Sequence, residues 1–170
     1  MAEDRMMTPA DVVARAMSGE HGDLLRDAVG LVLDTCLQPL VATAAPRTVA
    51  LLGISTGHAG QLLVTAGQNI DRLHGEAAFA ALCGASPTPV ASGRRGRYRL
   101  NPGGDHQANR ALHMIAVCRL RHCPKTRAYA ARRTTEGKTK KEIIRCLKRY
   151  IAREVYATLR DDLRSLPTTP

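Results

Sequence analysis

Apolar positions recur along this chain in short bursts, separated by glycine, proline and polar turns, and the spacing inside most bursts is helical. Thr8, Pro9 and Asp11 mark a helix start: a capping hydroxyl, a proline suited to the first turn and a carboxylate for the positive end of the dipole. Gly19 and Gly22 cut that segment short. From Asp23 to Val41, the positions Leu24, Leu25, Val29, Leu31, Val32, Cys36 and Leu40 predict a longer amphipathic helix that ends before Pro46. The apolar run 49–54 leads into Ser55-Thr56-Gly57-His58-Ala59-Gly60, and a helix is expected over Gln61–Ala66, stopped by Gly67. A glycine-containing turn that opens a helix either presents N–H groups to a phosphate or simply lets two helices pack closely. Another helix is expected from Asp71 to Cys83, kept slim by Ala77, Ala78, Ala80 and Ala81, with Gly84 as its stop.

The pattern changes at residues 85–104, a stretch of Pro, Gly and Ser that carries Arg94, Arg95, Arg97 and Arg99. A loop this long inside a domain points to function. Within it, Arg97-Tyr98-Arg99-Leu100 alternates as a short strand does. Asp105 is placed to cap the next helix, whose buried face reads Ala108, Ala111, Leu112, Ile115 and Ala116, until Pro124 ends it. A basic helical turn over Arg127–Arg133 and a polar hinge over 136–141 follow. The last helix, Lys141–Leu163, is expected to bury Ile144, Leu147, Ile151, Val155 and Leu159. Its Arg145, Arg149 and Arg153 recur every four residues as one basic stripe. The fold expected is mainly α: an Ala-rich helical domain with a long basic loop and an N-terminal helical linker arm. The boundaries are 1–44 for the arm, 45–163 for the domain and 164–170 for a disordered tail.

Composition supports the helical reading. Hydrophobic residues make up 44% of the 170 residues but aromatics only 3%, so the core is built from Ala, Leu, Val and Ile. Charge adds a division that the hydrophobic pattern does not show. Residues 1–90 hold 5 Lys/Arg against 9 Asp/Glu; residues 91–170 hold 20 against 6, so net charges of −4 and +14 sum to +10. One mildly acidic half joined to one strongly basic half points to a polyanion partner. Without a long apolar run or a lipidation motif, an acidic membrane is the least fitting polyanion.

The candidate chemistry lies in the basic half. A serine attacks a phosphodiester when its proton is removed and nearby arginines neutralise the phosphate. Ser92, followed by Gly93, Arg94 and Arg95, has that setting, although loop serines commonly serve only to cap or turn. His106 is the nearest imidazole in sequence. Arg94, Arg95, Arg97, Arg99, Arg110, Arg145, Arg149 and Arg153 are the expected nucleic-acid contacts, made to phosphates without reading sequence. Asn101, Gln107 and Asn109 suit either base edges or the start of a helix. Cys118 and Cys123 flank His122 but lack two further ligands at zinc spacing, and five widely spaced cysteines do not make a disulfide framework. No carboxylate quartet for divalent ions is found, so no metal or other cofactor is assigned to this chain. The acidic start without a compact apolar run carries no signal peptide, and the location expected is the bacterial cytoplasm, at the nucleoid.

Several ordered blocks resemble a known family: Leu62–Gly67, Glu76–Gly84, Ser92-Gly93, Arg97–Asn101, Gly103–Asn109, Thr126–Tyr129, Arg132-Arg133 and Lys140–Glu154. Together they resemble the C-terminal transposase domain of bacterial insertion-sequence transposases that pair a RuvC-like DEDD domain with a serine-bearing domain and are guided by a bridge RNA. The resemblance covers about residues 45–160. It implies that Ser92 is the nucleophile, with Ser86 the less well placed alternative, and that a phosphoserine link to DNA forms during strand exchange. It also implies DNA and a guide RNA as partners, a homo-oligomer in the complete enzyme, and divalent metal held in the RuvC-like domain. Family members are about twice as long, and their Gly-x-Gly hairpin is replaced here by Ser55-Thr56-Gly57-His58. The expectation is therefore a truncated element that lacks the RuvC-like domain, binds nucleic acid and does not recombine alone. The competing reading is a non-enzymatic nucleic-acid-binding regulator, or a partner subunit of a full-length transposase.

Overall fold

In the computed structural model the described residues are 30, 35–67, 70–90, 97–101 and 103–166, with the backbone alone described at 88–90 and 97–100. They are mainly helical. Helix α1 occupies residues 35–44, α2 Pro46–Val49 and α3 Thr56–Ala66; a 3-10 turn at Ile70–Arg72 leads into α4, Glu76–Leu82. Strands β1 (Pro87–Val90) and β2 (Arg97–Leu100) follow, then α5 (His106–His122), α6 (Pro124–Thr135) and α7 (Lys140–Arg164). The helix expected after Thr8 and the start of the one expected from Asp23 lie outside the described residues, as does the tail from residue 167. No described helix is long and apolar enough to cross a membrane.

Helix α7 is the axis of the fold, with α2, α4, α5, α6 and the 3-10 turn packed around it and α3 set against α5. Its seam steps by four: Ile143, Leu147, Ile151, Val155 and Leu159 are all buried. Ile144, expected in that seam, is only partly buried, because Ile143 is the residue that continues the four-residue row. The helix starts at Lys140, one residue before the expected start, with Thr139 of the expected hinge as its N-cap. Thr139 and Glu142 form a capping box, which holds the Glu142 carboxyl below its ordinary range through the backbone and side-chain bonds from Thr139. At the other end, buried Asp162 accepts from Thr48 N at 3.0 Å, Thr48 Oγ1 at 2.9 Å and Arg47 N at 3.2 Å. A carboxylate from α7 thus satisfies the free N–H groups that open α2.

Three further expectations are corrected by packing. Leu40 is 67% exposed and Cys36 is exposed; Leu37 and Val41 face inward, because Gly60 of α3 lets them approach to 3.4 Å of where its Cβ would be. Helix α3 starts at Thr56, not Gln61, because Ser55 caps it: His58 N donates to Ser55 Oγ, and Ser55 N donates to His58 Nδ1. Burial lowers the His58 pKa, outweighing its bond to the Gly53 backbone. The segment 71–83 is not one helix, since Gly75 at φ 126° separates the 3-10 turn from α4. Gly84 does end α4, in the left-handed region at φ 63°, with Ala85 N donating to Ala80 O and Gly84 N to Ala81 O.

Candidate nucleic-acid interface

The long basic loop is a hairpin. Its register pairs Pro87 with Leu100, Thr88 with Arg99, Pro89 with Tyr98 and Val90 with Arg97. Proline has no N–H, so paired ladder bonds fall at Thr88–Arg99 and Val90–Arg97. The expected short strand at Arg97–Leu100 is β2, and the prolines that read as loop belong to its partner. Six residues, 91–96, join the strands. They include Ser92, Arg94 and Arg95, which lie outside the described residues; Arg97 and Arg99 are described in backbone only.

The base of this hairpin is pinned to the helical core. Gly104 lies so close to Gly84 that a Cβ on Gly104 would sit 2.3 Å from Gly84 N and 2.4 Å from Gly84 Cα. Across the contact, Asp105 N donates to Leu82 O at 2.7 Å and Asn101 Nδ2 to Ala81 O at 3.3 Å. Asn109 Nδ2 donates to Gly84 O at 2.8 Å and Cys83 O at 3.1 Å. The carbonyls that a helix C-terminus leaves unpaired thus hold the returning chain. Asp105 caps α5 as expected, accepting from Gln107 N at 2.8 Å, while its other oxygen accepts from Thr65 Oγ1 at 2.6 Å. The Thr65 bond leads the contacts, backbone bonds among them, that hold the Asp105 carboxyl below its ordinary range. Burial, then the charge of Asp105, pushes the Cys83 thiol up to about 12.

Beneath this base lies a cation that hydrophobic patterning does not reveal. Lys148 of α7 is buried, 3% exposed, and its Nζ donates to Asn109 Oδ1 at 2.5 Å. Burial, and then the charge of Arg145, lowers its pKa. Lys148, Asn109 and Gly84 form one line of contact from the central helix to the foot of the hairpin. The signal in the sequence was indirect: Lys148 directly follows Leu147 of the buried seam.

The other expected contacts divide. Arg110 is exposed on α5. Arg145 is exposed, and its charge acts on Glu142 and Lys148. Arg149 is part-buried and donates to Glu76 O at 3.1 Å, and Arg153 pairs with Glu76 Oε2 at 2.7 Å. Two members of the stripe therefore dock the first residue of α4, the helix whose far end grips the hairpin. Among the described residues no group of three or more His, Cys, Asp or Glu is placed to hold a metal ion.

Among curated proteins none matches this chain. Residues 49–131, which include the whole hairpin and its pinned base, match the model of the transposase IS116/IS110/IS902 family, which supports a transposase domain with a role in moving an insertion element and implies DNA as its partner.

Proposed function

We propose that this chain is the serine-bearing, nucleic-acid-binding part of an insertion-element transposase, and that Ser92, which falls in sequence between the two strands of the hairpin, is its nucleophile. The observation that carries this reading is the pinned base. A hairpin anchored by Gly104, Asn109 and Lys148 holds its ends in fixed relation to the core, as a residue aimed at a phosphodiester requires. In the step proposed, Ser92 Oγ forms a bond to phosphorus, its proton passes to a base, and the bond from phosphorus to the neighbouring nucleotide breaks. The leaving oxygen takes up a proton. Arg94, Arg95, Arg97 and Arg99 neutralise the phosphate charge that grows during attack. The chain works with a RuvC-like domain, which would hold any divalent ion, with a guide RNA, and as a homo-oligomer.

The test is the salt dependence of DNA binding. Each phosphate contact contributes about −0.9 to the slope of log K against log salt. Replacing all four hairpin arginines with Gln should therefore flatten the slope by about 3 to 4. Binding that does not vary with salt in the parent chain would reject the phosphate contacts.

A further inference from the structure

Four tyrosines and one phenylalanine are all the aromatic side chains this protein has. Phe79 and Tyr156 meet in the interior with ring centroids 5.9 Å apart. Tyr129 and Tyr150 form a second pair, edge to face at 5.8 Å, where α6 lies on α7. This pair is at the surface, with Tyr150 54% exposed. It lines an open groove of about 310 Å³, together with Arg119, Lys125, Arg132 and Ile151. That volume is at the lower end of ligand-sized clefts, ~300–1,000 Å³.

Cations crowd this edge of the fold, and Glu136, just past the end of α6, is the carboxylate that pairs with Arg132 at 3.8 Å and with Arg133. Helix α6 carries Lys125, Arg127, Arg132 and Arg133, contains no carboxylate and buries no residue. The guanidinium carbons of Arg132 and Arg133 lie 5.5 and 6.0 Å from the Tyr129 ring centroid, which already occupies that ring with cation–π contacts. Tyr150 is the aromatic surface left open. Arg119 spends Nε on Leu52 O at 2.7 Å and Nη1 on Glu154, while its buried Nη2 has no hydrogen-bond partner among the described residues. An exposed ring beside several cations is the chemistry that holds an unpaired nucleotide: the base stacks and the phosphate meets positive charge. A duplex hides its base faces and gains nothing from the ring.

We propose that the groove between α6 and α7 binds an unpaired nucleotide of an RNA or DNA strand, with Tyr150 stacking on the base and Lys125 and Arg132 meeting the phosphate. This rests on the reading of the chain as a nucleic-acid binder, and it adds a site on the opposite side of α5 in sequence from the hairpin. The test uses the full chain and fluorescence anisotropy with labelled strands of about twelve nucleotides: unpaired RNA, unpaired DNA of the same sequence, and a DNA duplex. Tyr150→Ala should weaken unpaired-strand binding about tenfold, and Tyr150→Phe, which keeps the ring, should stay within about twofold. Duplex affinity should stay within about twofold in both variants. Tighter binding of one unpaired strand identifies it as the source of the nucleotide. Circular dichroism monitors folding; should Tyr150→Ala unfold the chain, Lys125→Gln reads the same groove through about threefold weaker unpaired-strand binding with a shallower salt slope. The proposal is overturned if the folded Tyr150→Ala variant binds unpaired strands as the parent does, or loses duplex binding equally. If the parent binds duplex but the substitutions have no effect on unpaired strands, the groove falls and the transposase reading stands. If the parent binds no nucleic acid, both fall.

Discussion

Gly104→Ala tests the pinned base of the hairpin. The added methyl would sit 2.3 Å from Gly84 N, 2.4 Å from Gly84 Cα and 3.0 Å from Ala81 O. Carbon atoms rest at roughly 3.5–4.0 Å, so the overlap exceeds an ångström, and every atom met belongs to the backbone. The end of α4 and the foot of the hairpin must separate. Overpacking of this kind costs about 1–3 kcal/mol. Separation also stretches the bonds from Asp105 N to Leu82 O and from Asn109 Nδ2 to Gly84 O, each worth about 1 kcal/mol. The sum is about 3–5 kcal/mol, or a fall in melting temperature of about 10 °C for a chain of this length. Gly103→Ala is the matched control, since a Cβ there meets only Asn101 Oδ1, at an ordinary 3.5 Å. It should stay within about 0.5 kcal/mol of the parent. Urea and thermal unfolding followed by circular dichroism measure both. Equal stability of the two variants would refute the close approach of Gly84 and Gly104.

Two predictions concern the groups around that contact. Lys148 titrates below its ordinary 10.5 in the fold, so in the alkaline window beneath 10.5 the unfolded chain binds the extra proton and rising pH favours the native state. The parent should therefore gain stability relative to Lys148→Met as pH rises toward that value; parallel stability curves would count against a buried ammonium. Asp105→Ala removes both the α5 cap and the Thr65 bond and should cost about 2 kcal/mol near pH 7. Because the Asp105 pKa is depressed below 3.8, this difference is full above that value and shrinks as pH falls through the folded pKa. A difference that persists unchanged in acid would assign the loss to something other than the carboxylate.

Much of the helical frame was legible because local chemistry and packing agree there. Helix α5 shows its buried face at Ala108, Ala111, Leu112, Ile115 and Ala116, and its cap at Asp105, as the spacing predicts. Where they compete, the pattern misleads. Leu40 and Cys36 look apolar enough to bury, but the opening that Gly60 leaves receives Leu37 and Val41 instead. Pro87 and Pro89 argue for loop, yet in a two-stranded hairpin they fall at pairs that require no donor. Gly103 and Gly104 are equivalent in sequence, and only the fold separates the one with room for a methyl from the one against Gly84. Nothing local marks Lys148 as buried, because its acceptor, Asn109, lies thirty-nine residues earlier. The even basic stripe of α7 conceals a similar division: Arg149 and Arg153 are held by Glu76, a partner that no helical period reveals.

The most direct test of the account is a search for a covalent link between this chain and DNA. A labelled DNA substrate, incubated with the chain, a RuvC-like domain and a guide RNA, is resolved under denaturing conditions. The parent should retain label as a protein–DNA adduct. Ser92→Ala should abolish that adduct while leaving DNA affinity within about twofold. An adduct of undiminished yield with Ser92→Ala would contradict the account and move the nucleophile to another residue.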